Sequence, residues 1–149
     1  MATEKIQATF FYTIEKAIKS YRQFAQRNIA AAGLEITIDQ WLVLKTLQEN
    51  PDVQLSTIAA DVFKDIASIS RIVHVLEKKG YINRSDNTSD GRRSAFALTR
   101  TGSAAVHRLL PIIDGNRNHA LKGVTSRQMA ECRRVLEVVI GNCLSEAQQ

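Results

Sequence analysis

Cysteine and proline are nearly absent from this 149-residue chain, which holds two of each. Cys132 and Cys143 make no CxxC pair and no disulfide framework. The scarcity of proline favours helices over extended linkers. No apolar run approaches the roughly 20 residues needed to cross a bilayer, so no membrane partner is expected. The N-terminal stretch MATEKIQATFFYT lacks a basic segment leading into an uninterrupted apolar one, as a secretory signal would have. A cytoplasmic protein is expected. A nucleophile elbow, a phosphate-cradling glycine loop and a paired-carboxylate constellation are all missing, so the sequence gives no support to an enzyme. His74, His107 and His119 are scattered, without Cys, Asp or Glu at ligand spacing, so neither a metal nor another cofactor is expected.

What the chain does have is enough apolar sequence, 44% of residues, to bury a core at the length of one compact domain. Its net charge is +5, and residues 55–100 hold eight Lys and Arg against five Asp and Glu. That bias suits a polyanionic partner, and a solvated basic surface would account for it as well.

From Lys5 to about Ala31, apolar residues including Phe10, Phe11, Ile14, Ile18, Tyr21 and Phe24 recur at three- and four-residue spacing. This predicts an amphipathic helix stopped at Gly33. Thr37 with Gln40 forms a capping-box pattern for a second helix to Glu49, which Asn50-Pro51 ends. Ser56 is expected to cap a short helix through Val62, and Asp65 a longer one, Ile66 to Lys79, that closes at Gly80. Tyr81–Arg84 and Ala95–Leu98 read as two strands around the polar, basic stretch SDNTSDGRRS. Thr99 is expected to cap a helix running through Ile113, and Ser126 opens the last one, with Met129, Cys132, Leu136, Val139, Ile140 and Cys143 on one face. The two cysteines lie about 16 Å apart along that face, beyond disulfide reach, and their apolar setting predicts small buried hydrophobes.

A short helix turned into a second and followed at once by a hairpin is a winged helix-turn-helix. The expected fold is therefore mainly α with a small β-hairpin wing, a winged helix-turn-helix module plus terminal dimerisation helices. Residues 34–99 form the expected DNA-binding lobe, and 1–33 with 100–149 a helical dimerisation region. The terminal helices carry more apolar surface than so small a lobe could cover, so a second copy of the chain is the expected partner.

With Ile69 at the origin of a helical wheel of about 100° per residue, Ile66, Ile72, Val73 and Leu76 fall on the inner face. Ala67, Arg71, His74 and Lys78 fall opposite, with Ser68 and Ser70 on the flanks. Small residues near the start of the helix let its backbone approach base edges. Arg71 can fork onto guanine O6 and N7 or onto phosphate, and the serines can bond to either. Any amphipathic surface helix would show a polar outer face. The wing tilts the balance, because Arg92 and Arg93 on an extended tip, with Arg84 at its base, suit a minor groove or flanking phosphates. The candidate contacts to double-stranded DNA are Ser56, Ala67, Ser68, Ser70, Arg71, His74, Lys78, Arg84, Asp90, Arg92 and Arg93. An alternative use of the same module is protein–protein assembly or non-specific DNA architecture.

Several strings then carry a family resemblance: Asp39-Gln40-Trp41-Leu42-Val43-Leu44, Leu55-Ser56-Thr57-Ile58-Ala59, and Ser70-Arg71-Ile72-Val73 leading into Leu76-Glu77-Lys78-Lys79-Gly80-Tyr81-Ile82. Most specific is Asp90-Gly91-Arg92, then five residues, then Leu98-Thr99-Arg100-Thr101-Gly102. Together they resemble the MarR family of transcription regulators over roughly 37–102. Gly91 stands where many members have arginine, which leaves open whether Arg92 or Arg93 enters the groove. Val75 is apolar where the family often has a basic or polar residue. The resemblance implies a homodimeric repressor on a pseudo-palindromic operator. It also implies a small aromatic or phenolic effector bound between the dimer region and the DNA-binding lobe, with Phe11, Tyr21, Arg22 and Trp41 as candidate ligand contacts. For any single one of those aromatics, ordinary core packing is the favoured reading.

Overall fold

The computed structural model describes residues 4–86 and 94–146. The chain divides into two compact units, Met1–Asn116 and Arg117–Gln149.

In the first unit a short 3-10 turn, Ile6–Ala8, precedes helix α1, Phe10–Ala31. The periodic pattern reaches back to Lys5, but Thr9 starts the helix afresh, its Oγ1 accepting from the Tyr12 N–H. Gly33, at φ +77°, ends it in the left-handed turn that glycine adopts without penalty. Helix α2, Ile38–Glu49, opens with the expected capping box. The Gln40 N–H donates to Thr37 Oγ1 and the Thr37 N–H to Gln40 Oε1, each at 3.1 Å. Trp41, Val43, Leu44 and Leu47 are all buried, so α2 runs through the middle of the lobe.

Helix α3 spans Leu55–Asp61 and α4 spans Ile66–Lys78. Ser56 is not the cap of α3. Gln54 holds that position, its carbonyl accepting from the N–H groups of Thr57 and Ile58, which draws the helix start ahead of the serine. Asp65 does cap α4, its Oδ1 accepting from the Ser68 N–H at 2.7 Å. Ile69, Val73 and Leu76 form the buried face of α4. Ile66, the first residue of α4, departs from the wheel and is 55% exposed.

Strands β1, Ile82–Asp86, and β2, Ser94–Leu98, pair antiparallel, with Ile82 opposite Leu98 and Arg84 opposite Phe96. Buried Ile82 and Phe96 pin the hairpin base to the core. Helix α5, Arg100–Ala120, follows directly. The Gly102 N–H donates to Thr99 Oγ1 at 3.0 Å, and the Thr99 hydroxyl donates to the Gly80 carbonyl at 2.6 Å. A Cβ at Gly102 would lie 2.1 Å from the Tyr81 carbonyl oxygen, so only glycine fits there.

Ile29 of α1 and Val106, Leu109 and Ile113 of α5 share one core with Leu44, Ile58, Ile69 and Phe96. The compact unit holding the helix-turn-helix is for that reason wider than residues 34–99. Asn28 of α1 also donates to Asn116 of α5 at 2.7 Å.

In the second unit α6 spans Ser126–Glu146. Thr125 closes its first turn, accepting from the Gln128 N–H at 3.1 Å while its own N–H donates to Gln128 Oε1 at 2.9 Å. No residue from 126 to 145 is buried. Cys132 and Cys143 are accordingly exposed rather than buried, since periodicity defines an apolar face and not what covers it.

Candidate nucleic-acid interface

The corner between α3 and α4 is tight. Phe63 takes φ +60°, a left-handed conformation unusual for a bulky residue, and is 95% exposed. The Lys64 N–H donates back to the Ala59 carbonyl at 2.9 Å, which turns the chain into Asp65. The Asp65 carboxyl sits below its ordinary range because it accepts from the Ser68 backbone N–H and the Ser68 side chain. The start of α4 is thus fixed in direction by its own cap.

On α4, Ala67, Ser70, Arg71, His74 and Lys78 are exposed and Ser68 is half-buried. Arg71 Nη2 donates to Ser68 Oγ at 3.1 Å, one turn back toward the N-terminus, leaving its remaining donors to solvent. Arg84 lies on the hairpin base, its Nε 3.4 Å from Glu77 Oε1 and its guanidinium carbon 5.2 Å from the centroid of the Phe96 ring. Ring and carboxylate together orient it. A concavity of about 380 Å³, lined by Gln54, Leu55, Ser56, Ile66, Ser70, Arg84 and Phe96, brings three of the expected contacts, Ser56, Ser70 and Arg84, onto one surface. Asp90, Arg92 and Arg93 lie outside the described residues.

A second feature joins α1 to the corner. Asp39, at the start of α2, accepts from Arg22 of α1 through Oδ1, and Lys64 Nζ lies 3.2 Å from its Oδ2. Partial burial pushes the Asp39 carboxyl up, and the hydrogen bonds and charges of Arg22 and Lys64 more than reverse this, holding it below its ordinary value. Beside the pair a groove of about 520 Å³ is lined by Arg22, Gln23, Gln26, Arg27, Ala30, Thr37, Ile38 and Asp39. Gln26 shapes one wall, accepting from the Ile38 N–H at 2.9 Å and donating to the Ile36 carbonyl at 3.2 Å.

Of the four residues expected to contact a ligand, Arg22 alone lines this groove. Trp41 is 3% exposed in the core, Tyr21 is half-buried and Phe11 is 63% exposed. Phe11 sits three turns from Arg22, about 16 Å along α1, and Trp41 is on the inner side of α2. Sequence reasoning missed Gln26, Arg27 and the second role of Asp39, for which spacing offers no signal. Among the described residues no cluster of His, Cys, Asp and Glu could hold a metal ion, and no helix is long and apolar enough to cross a membrane.

A short helix, a tight corner, a capped second helix with a polar outer face and an antiparallel hairpin carrying an oriented arginine define a winged helix-turn-helix of the kind found in DNA-binding transcription regulators. Residues 36–94 match the family model described as the MarR family. The chain is 26% identical over 132 residues to the HTH-type transcriptional repressor IacR of Pseudomonas putida, covering 89% of this chain and 78% of that protein. For two further regulators, from Thauera aromatica and Staphylococcus saprophyticus, the match spans 58% and 60% of their lengths. Two solved structures share the fold. A probable transcriptional regulator from Pseudomonas aeruginosa has a TM-score of 0.80 at 24% identity, over 91% of this chain and 99% of that one. Bordetella bronchiseptica BpsR, whose DNA binding is described as regulated by 6-hydroxynicotinic acid, has 0.83 at 17%, over 93% and 97%.

Proposed function

We propose that this regulator is a homodimeric, sequence-specific repressor that lays α4 in the major groove of each half of a pseudo-palindromic operator. The carrying observation is the surface on which Ser56, Ser70 and Arg84 line one concavity beside the exposed Ala67, Arg71 and His74. Arg71 reads a base, Ser56 and Arg84 hold phosphates, and Arg92 or Arg93 follows the flanking backbone or minor groove. Dimerisation is supported by apolar side chains left open on each terminal helix: Phe10, Phe11 and Ile18 on α1, and Val138, Ile140 and Leu144 on α6. Residues 1–33 and 100–149 serve that contact, while 34–99 serve DNA.

The groove beside Arg22 and Arg27 suits an aromatic carboxylate or phenolate, a reading supported by the effector named for BpsR. Such an anion competes with Asp39 for Arg22 and shifts the population away from the DNA-binding arrangement.

The test begins with duplexes enriched from a random library by the wild-type protein, and gel-shift titration of variants of the enriched site at two salt concentrations. Arg71→Ala is expected to flatten the ranking of sites by about 1–3 kcal/mol at one position. Arg92→Ala and Arg93→Ala are expected to lower affinity on all sites and to reduce the salt slope by about 0.9 for each lost phosphate contact. An unchanged ranking with Arg71→Ala overturns the assignment of α4. Equal binding to every duplex makes the chain an architectural module instead.

A further inference from the structure

Ile66 is an apolar residue in the wrong place for a core. Helical periodicity groups it with Ile69 and Val73, yet those two are 0% and 1% exposed while Ile66 is 55% exposed. It occupies the first position of α4, directly after the capping Asp65. On the wheel it stands about 60° from Ile69, on the Ser70 side. There it lines the same concavity as Ser56, Ser70 and Arg84, and no carboxylate is among the lining residues. A branched hydrocarbon therefore sits inside the surface that meets the polyanion.

Leaving that side chain in water sacrifices burial energy, which a bound partner recovers if it offers an apolar group at the same place. Every polar edge in the major groove asks for a donor or acceptor that Ile66 lacks. The one apolar group displayed there is the C5-methyl of thymine. Branching at Cβ also restricts χ1 outside the helix interior, so fixing the head of Ile66 sacrifices little rotamer freedom. Arg84, paired with Glu77 at 3.4 Å yet half-exposed, keeps further donors for a phosphate, which favours DNA at this concavity over an apolar protein partner.

We infer that Ile66 is a specificity-determining residue that reads the 5-methyl group of one thymine in each half-site. The inference rests on the DNA-reading proposal above and adds to it a base identity that no hydrogen-bonding side chain supplies.

The test replaces each thymine of an enriched duplex, one at a time, by 2′-deoxyuridine, which deletes the methyl and leaves every hydrogen-bonding edge intact. Binding is read by fluorescence anisotropy for the wild type, Ile66→Ala and Ile66→Val. For the wild type, one substituted position per half-site is expected to weaken binding about fourfold, the value of one buried methyl group. Ile66→Ala is expected to bind the thymine and deoxyuridine duplexes equally at that position, and Ile66→Val to keep part of the difference. A merely structural role for Ile66 would lower affinity for both duplexes alike and preserve the wild-type contrast, which overturns the inference. So does a wild-type protein indifferent to deoxyuridine at every thymine, a result needing no variant to fold. If no duplex is enriched at all, the DNA-reading proposal fails first and this one with it.

Discussion

Lys64 Nζ lies 3.2 Å from Asp39 Oδ2, while the other oxygen of the same carboxylate holds Arg22 of α1. One side chain at the head of α2 thus grips both the first helix and the corner that aims α4. Phe63, next to Lys64, is almost wholly exposed and adds no burial of its own to the corner. Asp39 is therefore placed to tie α1 to the turn that leads into α4.

Replacing Asp39 by Asn is expected to cost about 1 kcal/mol at neutral pH, since the Arg22 end of the pair is partly open to screening solvent. The sign of the pH dependence follows from the lowered carboxyl. A depressed folded-state value stabilises the fold above the ordinary carboxylate pKa, about 3.9. That contribution is lost as pH falls through the lower folded value. Thermal unfolding of wild type and Asp39→Asn from pH 7 downward should show two melting curves that converge in acid. A gap of constant size throughout would remove the charge from the explanation.

Gly102→Ala places a methyl group 2.1 Å from the Tyr81 carbonyl oxygen, a backbone atom that cannot swing aside. The expected cost is about 3 kcal/mol, from overpacking and the shift of the strand entrance. In a chain of this length that corresponds to a melting temperature lower by roughly 10 °C. Gly115→Ala, where the added Cβ meets nothing within 4 Å, is the matched control and should not lower it.

Thr99→Val removes both the acceptor for the Gly102 N–H and the donor to the Gly80 carbonyl while keeping the side-chain shape. The expected loss is about 1–2 kcal/mol in denaturant midpoint. Thr99→Ser, which retains the hydroxyl, should recover most of it. A larger loss for Thr99→Ser than for Thr99→Val would mean that the methyl group rather than the cap matters.

What could be read in advance was what is local in the chain. The Thr37–Gln40 box, the Asp65 cap, the turn at Gly80 and the hydroxyl of Thr99 each bind partners within a few residues or at a neighbouring element end, and their spacing declares them. The hairpin was visible by its change of period, although β1 continues to Asp86 because a backbone ladder needs no apolar side chains. Ile66 was misplaced because a wheel gives an angle and not a neighbour. The Arg22–Asp39–Lys64 link escaped notice because its members lie far apart in the chain and are joined only by the fold. The exposure of Cys132 and Cys143 escaped it too, since a surface that covers a helix face is not written in the helix.

The joint of Gly80, Tyr81, Thr99 and Gly102 has a mechanical meaning. The Thr99 N–H donates to Tyr81 at 3.0 Å, the Thr99 hydroxyl to Gly80, and the Gly102 backbone rests against Tyr81 with no room for a methyl group. The end of α4 and the start of α5 are in effect welded. Torque applied at the start of α5 therefore reaches the end of α4 without slack, and α4 turns as the short arm of a lever whose long arm is α5.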